Sequence, residues 1–329
     1  MLKKKILKTI YNLRGFAPFH WASRDNVLIL TYHRFSEEKH PFKISSEEFA
    51  THLEYLKKNN HVLSLNEIVK SLEKDEKLPP NSVAITIDDG YADAYEIAFP
   101  VLKSFDFHAT LFAITDFVEG KIWLWTDKMR YVLLETKNDF LRVEFGNYDT
   151  IEKDLTDEIQ RLKLADKVNS ILKKLPNEEK ESKILEIAES LNVEIPETPT
   201  AEFAALTWEM AREMDAGNLK IESHTVTHPI LTNIDEKQLD FELQISKERL
   251  ENHLEKSVET FCYPNGAFDE KVRQAVEKAD YKCAVTTRYG FVKTVENKFL
   301  LNRIDAQNDI VDFAQSVSGF EAVKEKLRN

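Results

Sequence analysis

Two carboxylates stand side by side at the end of an alternating run of β-formers, in the stretch "AITIDDGYADAY" over residues 84 to 95. Adjacent Asp88 and Asp89 repel each other, and in a partly buried site one pKa is driven upward unless a cation intervenes. A divalent metal resolves the conflict if one Asp ligates it while the other stays free to take a proton. Successive side chains of a strand point to opposite faces, so the pair can share a site only where the strand ends and Gly90 reorients the chain. A second signal is "ESHTVTH", in which His224 and His228 lie four residues apart at the end of another strand-like run. One turn of chain would aim both imidazoles the same way, as metal binding requires. Taken singly, each feature has an ordinary reading as a turn or as surface or core histidines. Together, at strand ends of one fold, they favour a metal site. A third stretch, "FCYPNG" over 261 to 266, ends a run in a Pro-Asn-Gly turn whose backbone N–H groups could hold an oxyanion.

The elements that must position these residues are seven short apolar runs with strand character. They are 26–33, 82–89, 109–116, 219–225, 258–264, 282–287 and 299–305. Helical patterns lie between several of them: "SSEEFATHLEYLKKN", "AYEIAFPVLKSF", "DEKQLDFELQISKERLENHL" and "DEKVRQAVEKA". Strands alternating with helices imply parallel strands joined by crossovers, and seven such units suggest an α/β fold, a distorted seven-stranded (β/α) barrel. In such barrels the chemistry sits at the C-terminal ends of the strands. The third and fourth strands are far apart, and residues 150–192 are strongly charged with apolar residues at helical intervals, which reads as an inserted helical subdomain. The expected organisation is a basic N-terminal segment (1–25), a barrel built from 26–130 and 205–315, a helical insertion (131–204) and a C-terminal tail helix (316–329).

The 329 residues carry a formal charge of −12, which argues against a general nucleic-acid binder. The basic residues concentrate at the N-terminus, where Lys3, Lys4, Lys5, Lys8, Arg14 and Arg24 face only Asp25. Ile6, Leu7, Ile10 and Tyr11 are interleaved with them at helical spacing, so residues 2–13 can be read as a peripheral membrane contact or as a terminal helix packed on the barrel. The chain shows no secretory pattern and no run long enough to span a membrane. With Cys262 and Cys283 as its two cysteines, it reads as cytoplasmic, at the inner face of the membrane if the N-terminal segment binds there.

"TIDDG", "HTVTH" and "FCYPNG", in that order on an interrupted βα pattern, resemble the polysaccharide deacetylase family, carbohydrate esterase family 4 with the NodB-homology fold. The resemblance covers roughly residues 26–130 and 205–310. It implies metal-dependent removal of N-acetyl or O-acetyl groups from a saccharide or glycan precursor. By the family pattern Asp88 is the general base, while Asp89, His224 and His228 ligate the metal, usually zinc. Asp88 would deprotonate a metal-bound water, with the metal and the Asn265 backbone N–H stabilising the oxyanion.

The chain departs from the family's commonest pattern in two places. The Arg that orients the base in the third motif is matched by Cys262, and "LNRID" offers no histidine as general acid. Arg303 is the candidate for the orienting role, and His33, in "LTYHRF", is the candidate acid or a structural histidine beside the site. That Tyr-His resembles the subgroup acting on poly-N-acetylglucosamine and other exopolysaccharides. Trp123 and Trp125 could stack on a pyranose or latch the inserted helices. Tyr91, with Asp93 beside it, and Tyr263 are further candidates for substrate contact. The alternatives are a hydrolase of a non-sugar amide on the same fold and a glycan-binding pseudoenzyme.

Overall fold

In the computed structural model, which describes residues 2–146, 150–292 and 297–321, seven parallel strands close into a barrel. They are β1 (Leu28–Tyr32), β2 (Ser82–Ile87), β3 (Ala109–Ala113), β4 (Leu219–Ser223), β5 (Thr260–Cys262), β6 (Cys283–Tyr289) and β7 (Leu301–Asp305). Each pairs with the next in sequence, and β1 pairs with both β7 and β2, so no barrel strand is left as a free edge. All seven runs read from the sequence are present. Every residue of β1, β2 and β3 is buried, as expected of strands covered on the outside by helices and filled on the inside by side chains.

The barrel is distorted on one side. There β5 is only three residues long and meets β4 through the pair Phe261 and Ser223. The register between β6 and β7 also shifts between Val285 and Tyr289. Such an irregularity re-aims side chains next to it, and Arg303 of β7 sits opposite Tyr289 at the shifted end.

The crossover helices follow from their caps and apolar spacing. Helix Ser46–Asn59 opens with a capping box between Ser45 and Glu48 and buries Phe49, His52, Leu53 and Leu56 on one face. After β2 the chain winds through a π-turn, Ala94–Ala98, directly into helix Phe99–Phe105, with Pro100, which has no N–H to give to the helical ladder, just past the junction. Helices Glu236–Leu254 and Glu270–Lys278 are capped by Asp235 and Asp269.

Between β3 and β4 lie helices Trp125–Glu135, Glu158–Leu172 and Asn177–Ser190, with an apolar cluster of their own that includes Met129, Leu133, Val168, Leu172 and Ile184. This region also contains an antiparallel pair, Phe140–Glu144 with Thr150–Asp154, so residues 150–154 are strand where the sequence reading expected helix. The physical reason is the period. Leu141 and Val143 are buried between exposed Phe140, Arg142 and Glu144, an alternation of two that makes 140–144 a strand, and Thr150–Asp154 is drawn into the same period by pairing with it, buried Ile151 opposite Val143.

At the N-terminus, helix Leu2–Asn12 packs Leu7 against Val311 and Ala314 of helix Ile310–Val317. Of the expected tail helix, residues 322–329 lie outside the described residues.

Candidate active site

At the end of β2 the chain changes hand to part the two carboxylates. Asp88 still behaves as strand, its N–H donating to Tyr32 of β1 at 2.9 Å. Asp89 and Gly90 then take φ of 77° and 90°, the left-handed region that the glycine tolerates and the aspartate adopts under constraint. Asp88 is thereby turned inward, 2% exposed, while Asp89 faces the two histidines.

The inward carboxylate is met by a guanidinium. Arg303 donates to Asp88 Oδ1 from Nη1 at 2.8 Å and to Oδ2 from Nη2 at 2.7 Å, a bidentate fork. The same guanidinium donates to the Thr86 hydroxyl at 3.0 Å and to the Thr286 carbonyl at 2.8 Å, and its Nη2 lies 3.2 Å from the Cys262 sulfur. Burial by itself would raise the Asp88 carboxyl, but the attraction and hydrogen bonds of Arg303 outweigh it and hold the group below its ordinary value. The small Cys262 side chain leaves the space that Arg303 enters from β7.

His224 and His228 follow β4, and the loop between them is bent by left-handed Thr225 (φ 73°) and His228 (φ 59°). The side chains of Asp89, His224 and His228 bring one donor atom each within 4.8 Å of one another. The Nε2 atoms of His224 and His228 lie 3.5 and 3.8 Å from Asp89 Oδ1. His224 Nδ1 donates to the Cys262 carbonyl at 2.8 Å, which fixes the ring with Nε2 facing Asp89; although burial opposes it, the surrounding acceptors and carboxylates hold this imidazole above its ordinary pKa, and a cation at Nε2 would take the place of that proton. Burial, with His224 adding to it, pushes His228 down to about 3, which keeps that imidazole neutral and free to ligate. The donor set fits a divalent cation. A second grouping of Asp88, His224 and Cys262 does not, because Arg303 occupies both oxygens of Asp88 and burial raises the thiol pKa.

One group that organises this loop had no signal in the sequence. Glu242 of helix Glu236–Leu254 is fully buried and accepts from the backbone N–H groups of Val226 and Thr227 at 2.8 and 2.9 Å and from the Thr227 hydroxyl at 2.6 Å. It pins the segment that joins the two histidines.

These residues share one cavity of about 860 Å³, walled by His33, Arg34 and Lys43 after β1, by Tyr263, Asn265 and Thr287, and by Thr126, Arg130, Leu162 and Lys173 from the segment between β3 and β4. His33 is half-exposed there, with Nε2 3.7 Å from Asp88 Oδ2. The Pro264–Asn265–Gly266 turn seats Asn265 on the rim, and a Cβ on Gly266 would meet the Thr287 hydroxyl at 2.0 Å, so only glycine permits this approach. Tyr263 Oη and Asn265 Nδ2 are buried without a hydrogen-bond partner among the described residues, two donors available at the cavity wall.

The other candidates are placed differently. Tyr91 lines the cavity but its hydroxyl donates to Asp127 at 2.5 Å, and the Arg34 guanidinium covers its ring at 3.9 Å. Asp93 is engaged by Arg34 at 2.7 Å. Trp123 and Trp125 are buried and stand outside this cavity, Trp123 against Tyr131 and Phe203 and Trp125 beneath the Lys180 ammonium. Both line a neighbouring cavity of about 500 Å³ that reaches Thr227 and His228.

Residues 75–284 match the family described as polysaccharide deacetylase. The chain is 24% identical over 277 residues to Bacillus subtilis YxkH, provisionally named a polysaccharide deacetylase, covering 84% of this chain and 70% of that one. Over 111 residues it is 32% identical to the poly-beta-1,6-N-acetyl-D-glucosamine N-deacetylase of Staphylococcus epidermidis, covering 29% of this chain and 38% of that one. The fold is shared with the Streptococcus pyogenes deacetylase PplD in complex with acetate, at a TM-score of 0.59 and 19% identity over 91% of this chain and 98% of that one. Asp88, Asp89, His224 and His228 all fall inside the matched span, and Arg303 lies beyond it. More than half of the 329 residues are covered by that match, and the chain belongs to the polysaccharide deacetylase family.

Proposed function

We propose that this deacetylase removes N-acetyl groups from a saccharide by metal-assisted hydrolysis, with Asp88 as base. The observation that carries the reading is the adjacency of two carboxylates with opposite partners, Asp88 in the Arg303 fork and Asp89 against His224 and His228. Asp89, His224 and His228 would hold the cation, and a set of two imidazoles and one carboxylate suits zinc. When bound, such an ion supplies Lewis-acid polarisation of an acetyl carbonyl and of water.

The chain's own groups do the rest. Asp88, ionised and fixed in orientation by Arg303, takes the proton of the attacking water at Oδ2, the oxygen nearer the His33 imidazole. His33, half-exposed at the cavity mouth, is positioned to give a proton to the departing amine, so that the C–N bond breaks to acetate and free amine. The Asn265 turn and the unpartnered Tyr263 hydroxyl are the donors available to a developing oxyanion or a sugar hydroxyl. A poly-N-acetylglucosamine-type glycan is the substrate class favoured, supported by the substrate named for the Staphylococcus epidermidis relative.

Acetate and free amine should be measured from N-acetylated saccharides with the metal-stripped protein, with zinc restored, and with Asp88→Asn. Zinc-dependent release of both products that disappears in Asp88→Asn is the expected result. Acetate without amine would make it an O-deacetylase, and zinc binding without any release would favour a glycan-binding role.

A further inference from the structure

Helix Leu2–Asn12 is anchored by one face only. Leu7 is buried with Ile10 and Tyr11 beside it, and Lys4 pairs with Asp309 at 3.1 Å. The short helix Ala17–Ala22 is held likewise, with Phe19 edge-on to Phe320 and His20 bonded to the Tyr55 hydroxyl at 2.9 Å. What these contacts leave outward is unusual. Ile6, Leu13 and Trp21 are 51%, 77% and 68% exposed, three of the eight large apolar side chains exposed to this degree among the described residues. The other five, Phe140, Ile159, Leu185, Phe241 and Tyr289, are scattered over the rest of the chain. Ile6 and Leu13 are seven residues apart, two helical turns, and so share a face.

The charge around them is just as local. Lys5, Lys8 and Arg14 are exposed, and no carboxylate lies within 4.0 Å of any of them among the described residues. Six basic residues against one acidic in the first 25 give +5 within a chain of −12, so the remainder carries about −17. Protruding apolar tips among unpaired cations are what an interfacial membrane segment presents, the tips entering the headgroup boundary and the cations meeting anionic lipid. An acidic body behind a basic end is repelled by the same surface, which fixes the orientation of docking. No helix among the described residues is long and apolar enough to cross a membrane, so the contact is peripheral.

We infer that residues 4–24 form a docking surface for an anionic lipid bilayer, which would hold the barrel at a membrane while leaving the catalytic cavity, lined by none of these residues, open to its glycan. The test is co-sedimentation of the whole chain with vesicles of phosphatidylcholine alone and of phosphatidylcholine mixed with phosphatidylglycerol, at rising salt. Binding should require phosphatidylglycerol and weaken with salt. It should fall roughly fivefold for each of Lys5→Gln and Lys8→Gln. It should also fall in Ile6→Ser with Leu13→Ser and in Trp21→Ser, with melting temperature and acetate release unchanged. Equal binding to neutral vesicles, or variants that bind like the parent chain, would overturn the inference. So would sedimentation without vesicles together with a mass that rises with concentration, which would assign the surface to a second copy of the chain.

Discussion

Arg303 and Asp88, at opposite ends of the barrel sequence, meet in a two-pronged contact of 2.8 and 2.7 Å, with both side chains almost wholly withdrawn from solvent. The fork leaves the carboxylate one orientation. Removing one partner of a buried pair leaves the other as an uncompensated charge, at a cost of about 3–5 kcal/mol. Arg303→Met should therefore lower the melting temperature and reduce kcat by roughly a hundredfold or more, with metal content retained. Adding Asp88→Asn to Arg303→Met should recover much of the stability and none of the activity. Thermal melts and acetate release on the single and double variants check both statements.

Glu242 should matter to the metal without touching it. Glu242→Ala frees the N–H groups of Val226 and Thr227 and unpins the segment between the two histidine ligands. Loss of a group that orients ligands weakens metal affinity by roughly 10–100-fold. Titration against a competing chelator reads this directly, and unchanged affinity would show that the loop holds its shape without the carboxylate.

The segment between β3 and β4 should tune substrate binding through Lys173. This ammonium lines the catalytic cavity with no carboxylate within 4.0 Å among the described residues. A hydrogen bond from a charged group is worth about 1.5–3 kcal/mol. Lys173→Met should accordingly raise KM by roughly tenfold or more with kcat little changed, and Lys173→Arg should restore it. Steady-state kinetics on oligosaccharides decides between this and a bystander lysine.

Two buried histidines away from the site make stability depend on pH. Burial lowers both His20 and His52 to about 4; His52 stacks on Phe313 at 3.9 Å and bonds Tyr32. Their folded pKa values lie below the unfolded value near 6.5, so the unfolded chain binds more protons between about pH 6.5 and 4. Stability is full above that window and is lost as pH falls through it, by about 3 kcal/mol for each histidine. Melting curves from pH 7 to 4 should show the fall, and His52→Gln should flatten it.

Much of the site was legible because it rests on local rules. A strand that ends on Asp88-Asp89-Gly90 must turn, and His224 and His228 at four-residue spacing must share a side once the chain bends. The seven strands were readable because each is a short apolar run closed by polar residues. What the sequence could not convey depends on contacts between distant segments. Glu242 lies in a helix full of charge, where a buried carboxylate looks like any solvated one. Tyr91 carries a free-looking hydroxyl until the fold sets Asp127 against it, and Trp125 sits near the third strand in sequence yet packs into the apolar cluster of the inserted helices, while Trp123 lies against Tyr131 and Phe203. The strand pair at 140–154 was hidden because charged alternation and charged amphipathic helix look alike over so short a stretch.

Barrel closure has a consequence for the order in which the molecule comes into being. The orienting guanidinium is supplied by the last barrel strand and the carboxylate by the second, 215 residues earlier. A chain emerging from synthesis can pair β2 with β1 and β3 long before β7 exists, and through that interval Asp88 lacks the Arg303 guanidinium. Contacts of such sequence separation form slowly, and the loops they close carry the largest entropic cost. If Asp88 is the base, as proposed, activity should appear only when the final strand docks, because the contact that orients this carboxylate is made in the step that seals the barrel.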